Sequence, residues 1–328
     1  MKTTQSLRRI LGGVFLGLLL GAPVHAAPSP DADFIASVTG DYNNISSYLN
    51  NELARTFGFY STLGWPTSPE VLNLMSGPRG EIGVGLGVDL VKVNLDSLPL
   101  NALSPDSNIN IPGVLPLPFP IWQAKIGLFK DLDFGLRGTG YPRIERDQIS
   151  TANRGWGFEV RYQALSGVKY PSVTVNVSWD RMQGDIYFHT NIDQQSTYVD
   201  SGTTYASTLS GQSVYMNAWD VHSFGVKVVV GKNLGIFHPF GAMGIQRQGG
   251  QVTSRFQVDV QEALSSGGVP VVGTGQNVHL DLTNVALPPV LQPKYILGFE
   301  LGTGFRWSNV FETNGRDRSF STSFRVQI

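Results

Sequence analysis

Four histidines follow the first 26 residues of this 328-residue chain: His189, His222, His238 and His279. None forms a metal-spaced pair with another His, Asp or Glu on a helix, and the chain has no cysteine, so no metal ligand is expected. One pair has a spacing that can do chemistry. In Asp220-Val221-His222 the two side chains share a face if the segment is a strand, and a carboxylate there can orient an imidazole and raise its basicity. Phe224 and Val226 fall on the same face, which favours a solvated rim pair over a catalytic one. There is no G-x-S-x-G elbow, and GVGLG (83–87) runs into a strand pattern where a dinucleotide loop must open a helix. The expectation is no catalytic residue, no cofactor and no enzyme, with an outer-surface hydrolase as the minor alternative.

Ten charged residues are more informative: Glu81, Asp89, Lys125, Arg137, Glu159, Arg161, Asp180, Lys227, Glu300 and Arg325. Each lies in a stretch that alternates with period two, on the face opposite the apolar residues. Ile82, Val84, Leu86, Val88 and Leu90 oppose Glu81, three glycines and Asp89. Trp122, Ala124, Ile126 and Leu128 oppose Gln123, Lys125 and Gly127, and Trp156, Phe158, Val160 and Tyr162 oppose Gly157, Glu159, Arg161 and Gln163. The same alternation recurs at 134–139, 173–180, 223–230, 295–301 and 320–328. Large apolar residues on one face with Gly, Ser, Thr and single charges on the other describe a wall that is greasy outside and polar inside. The ten charges are therefore lumen-lining candidates, which either line a water-filled pore or pair across it and close it. Both signs are interleaved, and about ten strands enclose a space that side chains nearly fill, so closure is favoured. Arg137, Glu159 and Arg161 are expected on neighbouring strands, where they can form one network.

The elements that position these residues follow from the rest of the chain. Residues 1–26 have a basic start (Lys2, Arg8, Arg9), an apolar middle and Val24-x-Ala26 as a cleavage site, the layout of a removable secretory signal. Removing its three basic residues from 24 leaves 21 against 25 acids, a formal charge of −4 with no basic patch, so nucleic acid is not a partner. No later run is apolar and long enough for a helical membrane span, and mean hydropathy is −0.04. Residues 27–78 form a helical leader or plug. Ile45, Tyr48, Leu49, Leu53 and Phe57 recur at helical spacing and predict an amphipathic helix over 43–57, capped by Asp41 or Asn44, with a short restart from Glu70 to Met75.

Residues 79–328 then predict an all-β fold, a transmembrane antiparallel β-barrel of about 10 strands (range 8–14). Short turns at 130–133, 166–171, 231–233 and 302–304 alternate with longer links at 94–119, 142–153, 181–212, 248–291 and 313–318. Outer-membrane barrels have such turns on the periplasmic side and such loops outside. Trp122, Trp156 and Trp179 fall at the expected outer interface, whereas the parity of Trp219 disagrees with Phe224 and needs a bulge or a strand extending beyond the membrane. The link from Asp96 to Pro120, with six prolines among leucines and valines, suits an inward hatch, a hydrophobic docking surface or simple stiffening.

The final FSTSFRVQI (320–328) resembles the C-terminal signal by which outer-membrane proteins are recognised by the barrel-assembly machinery, with Ile328 in place of the usual Phe. SYLNNELARTFGFYSTLGW leading into RGEIGVGLGVDL, followed by PGVLPLPFPIWQAKIGL, resembles a family of uncharacterised bacterial outer-membrane barrels. More loosely, a helical leader before Gly-rich strands is similar to the long-chain fatty-acid porins, although the mature chain starts Ala-Pro-Ser-Pro and not Asn-Pro-Ala. Asp220-Val221-His222 resembles half of the site of the omptins, and Asp131-x-Asp133, which has the spacing of the other half, falls in a predicted periplasmic turn. These resemblances imply a cell outer membrane location in a Gram-negative-type bacterium, with outer-membrane lipid and the assembly machinery as partners. The expected function is a narrow channel or transporter for small, hydrophobic molecules. The alternatives are a structural or surface-interaction barrel and, third, an omptin-like or lipid-modifying enzyme.

Overall fold

A computed structural model describes residues 32–60, 70–72, 79–92, 114–146, 149–166, 170–200, 203–270 and 277–328. The signal at 1–26 and most of the proline-rich link lie outside the described residues, as do the side chains of Asp89 and Ile45. One helix, α1 (Ala32–Tyr60), precedes the strands β1 (Gly80–Lys92), β2 (Val114–Phe129), β3 (Leu132–Arg146), β4 (Ile149–Leu165), β5 (Ser172–Asp200) and β6 (Thr203–Gly231). They continue with β7 (Phe237–Ser266), β8 (Val269–Pro270), β9 (Asn277–Ala286), β10 (Leu291–Gly302), β11 (Phe305–Thr313) and β12 (Arg318–Gln327).

Each strand pairs antiparallel with its sequence neighbour from β1 to β7. β7 then pairs β10, and β10–β11–β12 returns to β1, so ten strands close a barrel. β9 pairs the far part of β7 while β10 pairs its near part, so the two act as one strand interrupted at 287–290, where Pro288 and Pro289 cannot donate to a ladder. Alternation is kept throughout. Trp122, Trp156, Phe224, Leu297 and Phe324 each leave about half or more of their surface exposed on the outside. Charged and polar residues one position away are buried inside. Burial inverted in this way is stable only against lipid.

The barrel has two unlike ends. At the turn end lie the C-terminus and the connections 130–131, 166–171, 232–236 and 303–304. At the other end β5, β6 and β7 run to 29, 29 and 30 residues, roughly three times the 9–11 that a tilted strand needs to cross a bilayer. The links expected at 142–153, 181–212 and 248–291 are therefore largely strand. β5 and β6 stay paired without a break from Ser172↔Gly231 to Asp200↔Thr203. Beyond the lipid the outer face turns polar and inward residues such as Met182, Trp219, Val252 and Phe256 become the apolar ones, so the alternation changes side while the ladder continues. β7 and β8 meet through Gly267-Gly268, both at positive φ (60° and 78°), the conformation a two-residue hairpin turn requires.

The helix also departs from its sequence expectation. It begins at Ala32, so Asp41 and Asn44 are interior residues and not caps; of the restart expected from Glu70 to Met75, Glu70–Leu72 is irregular and the remainder lies outside the described residues. It lies in the lumen against β6, β7 and β9. Tyr42 is beside Phe256 near the tall end, and Phe59 is beside Lys294 near mid-barrel, so α1 descends the axis. Glu70 and Leu72 then reach the turn end, where β1 starts.

Candidate functional site: a lumen filled in two ways

In the turn-end half the lumen is filled by charge. Of the ten lumen-lining candidates, the nine whose side chains are described are all buried, with Glu159, Asp180 and Glu300 at zero exposure. Glu159 of β4 receives cations from three directions: Lys125 of β2 at 3.5 Å, Arg161 at 3.6 Å and Lys227 of β6 at 3.8 Å. Arg161 also donates to Asp133 through Nε at 2.8 Å. Arg325 joins Glu81 (2.9 Å) to Glu300, and Arg306 joins Glu300 (3.2 Å) to Glu70 (2.8 Å). Arg137 reaches Asp180 of β5 at 2.6 Å, and Lys294 reaches Glu312 at 2.5 Å. Burying each ion costs several kcal/mol unless it is paired, so charges from nine strands are held in contact across the axis.

Sequence reasoning passed over Lys294, Arg306 and Glu312, and left Asp133, opposite Phe134 by parity, out of the lumen-lining charges. Asp133 was assigned to a turn, yet it is an inner residue of β3 with no exposure. Arg306 and Glu312 alternate with Trp307 and Phe311, a period-two signal that was present but not traced. The segment below α1 completes this layer. The Leu72 amide donates to Asp133 Oδ2 at 3.0 Å, and Glu70 accepts from Asn233 Nδ2 at 2.7 Å. Partial burial would raise the Glu70 carboxyl, but hydrogen bonding to Arg306, the charge of Arg306, Asn233 and nearby His238 hold it below the usual glutamate value.

In the tall-end half the lumen is filled by the helix. The polar interior expected for the whole barrel does not extend here. Phe57 stacks on Trp219 at 4.4 Å between ring centroids, within a cluster that includes Ala54, Phe59, Phe119, Met182, Val221 and Val252. Trp219 is thus an inward residue of an unbroken β6, and no bulge is needed to explain its parity. Leu53 and Phe57 belong to this contact, whereas Tyr48 and Leu49 are half-buried. The face that meets the wall most fully is polar: Tyr42, Ser46 and Asn50. Tyr42 donates to the Leu282 carbonyl at 3.2 Å. Asn50 Nδ2 lies 3.0 Å from both Ser254 Oγ and the Asn284 carbonyl, and Asn50 Oδ1 accepts from Asn217 at 2.8 Å. Arg55 pairs with Glu52 on its own helix and with Asp317 of the β11–β12 turn at 2.9 Å, and Arg316 of that turn reaches Glu52 at 2.6 Å.

Beside the helix a cavity of about 720 Å³ lies along Thr139 to Arg143, Asn153, Gly184 and Trp219. Its position follows from a defect in the wall. The β2–β3 ladder stops at Ile121↔Thr139, and Thr139 Oγ1 caps the Pro120 carbonyl at 2.7 Å. Pro116, Pro118 and Pro120 sit at alternate positions, which removes N–H donors from one edge of β2 while its pairing to β1 continues. Trp219 is fixed in the cavity wall by donating Nε1–H to Asn153 at 3.2 Å and by Gly184, where a Cβ would lie 2.4 Å from both the indole and the Ala152 carbonyl.

The Asp220 and His222 pair is on the outer face, as the parity implied. The Asp220 carboxylate accepts from Arg181 (2.9 and 2.6 Å) and Gln183 (2.9 Å), which occupies the group that would orient His222. Among the described residues no three His, Asp or Glu side chains are grouped to hold a metal.

No family model and no curated protein sequence matches the chain. Solved structures that resemble it are outer-membrane barrels. They include the translocator domain of the autotransporter NalP from Neisseria meningitidis (9% identity, 78% of this chain, 89% of that one, TM-score 0.30). The toluene transporter TbuX from Ralstonia pickettii (11%, 80% and 92%, TM-score 0.26) and LpxR from Salmonella typhimurium (11%, 75% and 100%, TM-score 0.26) are others. Likeness at this level says nothing about ligand or activity. The closed ladder and its apolar exterior carry the assignment, and the chain folds as an outer-membrane β-barrel.

Proposed function

We propose that this barrel is a transporter held shut by its own leader, and that it admits a small molecule with an apolar part at the cavity beside Trp219. In this reading the first 26 residues direct export, the turn end faces the periplasm and the tall end faces outward. One observation carries the proposal: Trp219 is both a wall of the cavity and the residue on which Phe57 of α1 stacks. A molecule that moves the indole also moves the plug. The amides and the Arg55–Asp317 pair hold α1 through separate, exchangeable contacts, which suits a part that must shift.

Planar-bilayer recording on the refolded chain tests this. The mature protein is expected to be nearly silent, and deletion of residues 27–77 to give stable currents. Phe57→Ala is expected to give brief openings. Currents of equal size with and without the leader would contradict gating. A second reading, a barrel that carries no cargo, is favoured by the Glu159 contacts, which cross the lumen between wall strands and do not depend on α1. Silence after deletion of 27–77 would select it.

A further inference from the structure

The outer surface carries a second feature, which adjoins the cavity only through Arg154. Where the apolar belt meets the tall end, basic side chains step across four adjacent strands, staggered by two residues between β4 and β5 and between β6 and β7. Arg154 lies two residues beyond Trp156 on β4, and Arg181 two beyond Trp179 on β5. His222 lies two beyond Phe224 on β6, and Arg247 two beyond Ile245 on β7. The ladder pairs Trp156 with Arg181, Arg181 with His222 and Phe224 with Arg247, so these residues form one row. Arg181 is matched by Asp220, and further out Arg143 is matched by Asp185 at 2.7 Å. Arg154 and Arg247 are exposed and form no ion pair among the described residues. The row therefore has a surplus of positive charge at its two ends. Beneath it lie Trp156 and Trp179, whose rings are 4.8 Å apart and which belong at a membrane interface.

The geometry points to a docking surface for phosphate-bearing lipid headgroups, held by the Arg154 and Arg247 guanidiniums while the acyl chains lie on the Trp156 and Phe224 surface below. The argument rests on the belt being in lipid. Guanidinium matches phosphate in a two-pronged geometry, and an unpaired one at the headgroup level lacks only its anion. The long wall above provides the neutralised pairs Arg181–Asp220 and Arg143–Asp185, which compete little for the same anions.

The test uses the purified full-length barrel in uncharged detergent, with a bis-phosphorylated glucosamine lipid, its dephosphorylated form and inorganic phosphate as probes. The readouts are retention of lipid in native mass spectrometry and the temperature of heat-modified migration. The wild-type protein is expected to hold the phosphorylated lipid about tenfold more tightly than the dephosphorylated one. The exposed double variant Arg154→Gln/Arg247→Gln is expected to lose that preference, while Arg143→Gln keeps it. Equal binding of both lipids by the wild type, or an unchanged preference in the double variant, overturns the proposal. So does inorganic phosphate reproducing the full effect, because that makes the site one for free anions. If the protein needs no detergent and binds neither lipid, the belt reading fails as well, which separates the two failures.

Discussion

The two halves of the lumen are closed by different physics, although the same strands build both. In the turn-end half, wall residues such as Glu159, Lys125 and Lys227 meet each other directly, and the seal is part of the barrel. In the tall-end half, the wall meets α1, and the seal is a separate segment held by a ring stack, amide hydrogen bonds and the Arg55–Asp317 pair. A buried ionic layer resists partial rearrangement, because separating one pair strands charges in a low dielectric. A helix docked by apolar and amide contacts loses them in small steps. Opening is therefore expected first at the tall end.

The strongest way to break this contrast is at Glu159. Glu159→Ala leaves Lys125, Arg161 and Lys227 around an absent carboxylate, and a loss of about 3–5 kcal/mol is expected. Heat-modified migration should shift to markedly lower temperature, with α1 still resistant to protease at native temperature. Trp219→Leu attacks the other half. Removing the Phe57 stack and part of the buried indole should cost about 2–3 kcal/mol. Here the order reverses: protease should cut α1 well below the temperature at which the barrel itself unfolds. If both variants lost barrel and helix together, the two seals would be one cooperative unit and the comparison would fail.

The same division explains what could be read from sequence. The outward row of Ile82, Trp122, Trp156 and Phe324 was legible because lipid demands an apolar residue at every second position, and strand count and inner charges follow by parity. Beyond the lipid that demand ends. TTYASTLSGQ (203–212) reads as a loop and is part of a 29-residue strand, because its partners across the ladder, not its hydropathy, determine its structure. Within α1, hydrophobic periodicity finds Leu53 and Phe57 but gives no signal for Tyr42, Ser46 and Asn50. They are the buried face because the wall offers Ser254, Asn217 and the carbonyls of Leu282 and Asn284 as partners. No local rule in one segment reports the acceptors supplied by another.

Asn50 sharpens the comparison at a smaller scale. Asn50→Ala removes the groups that satisfy Ser254, the Asn284 carbonyl and Asn217, and a cost of about 1–3 kcal/mol is expected, confined to helix docking. Hydrogen exchange in α1 should rise while exchange in β4 and β5 stays unchanged. A uniform rise would mean that the helix stabilises the whole barrel.

The smallest expected effect lies at Glu70, where the leader passes beneath the charged layer. Its carboxyl is depressed, so its contribution is present above the ordinary glutamate value of about 4.3 and is lost as pH falls through its lower folded value. Acidification below about pH 4 should therefore loosen the Glu70–Arg306 and Glu70–Asn233 contacts. Protease cleavage of the leader between α1 and β1 should increase there, and in Glu70→Gln it should be already raised at pH 7 and nearly independent of pH from 5 to 3. Because Arg306 keeps its second partner Glu300, the ionic layer should survive this change, and barrel unfolding should follow the wild type. A fall in barrel stability matching the rise in cleavage would instead make Glu70 a member of the wall seal, and the division between the two halves would lie above it.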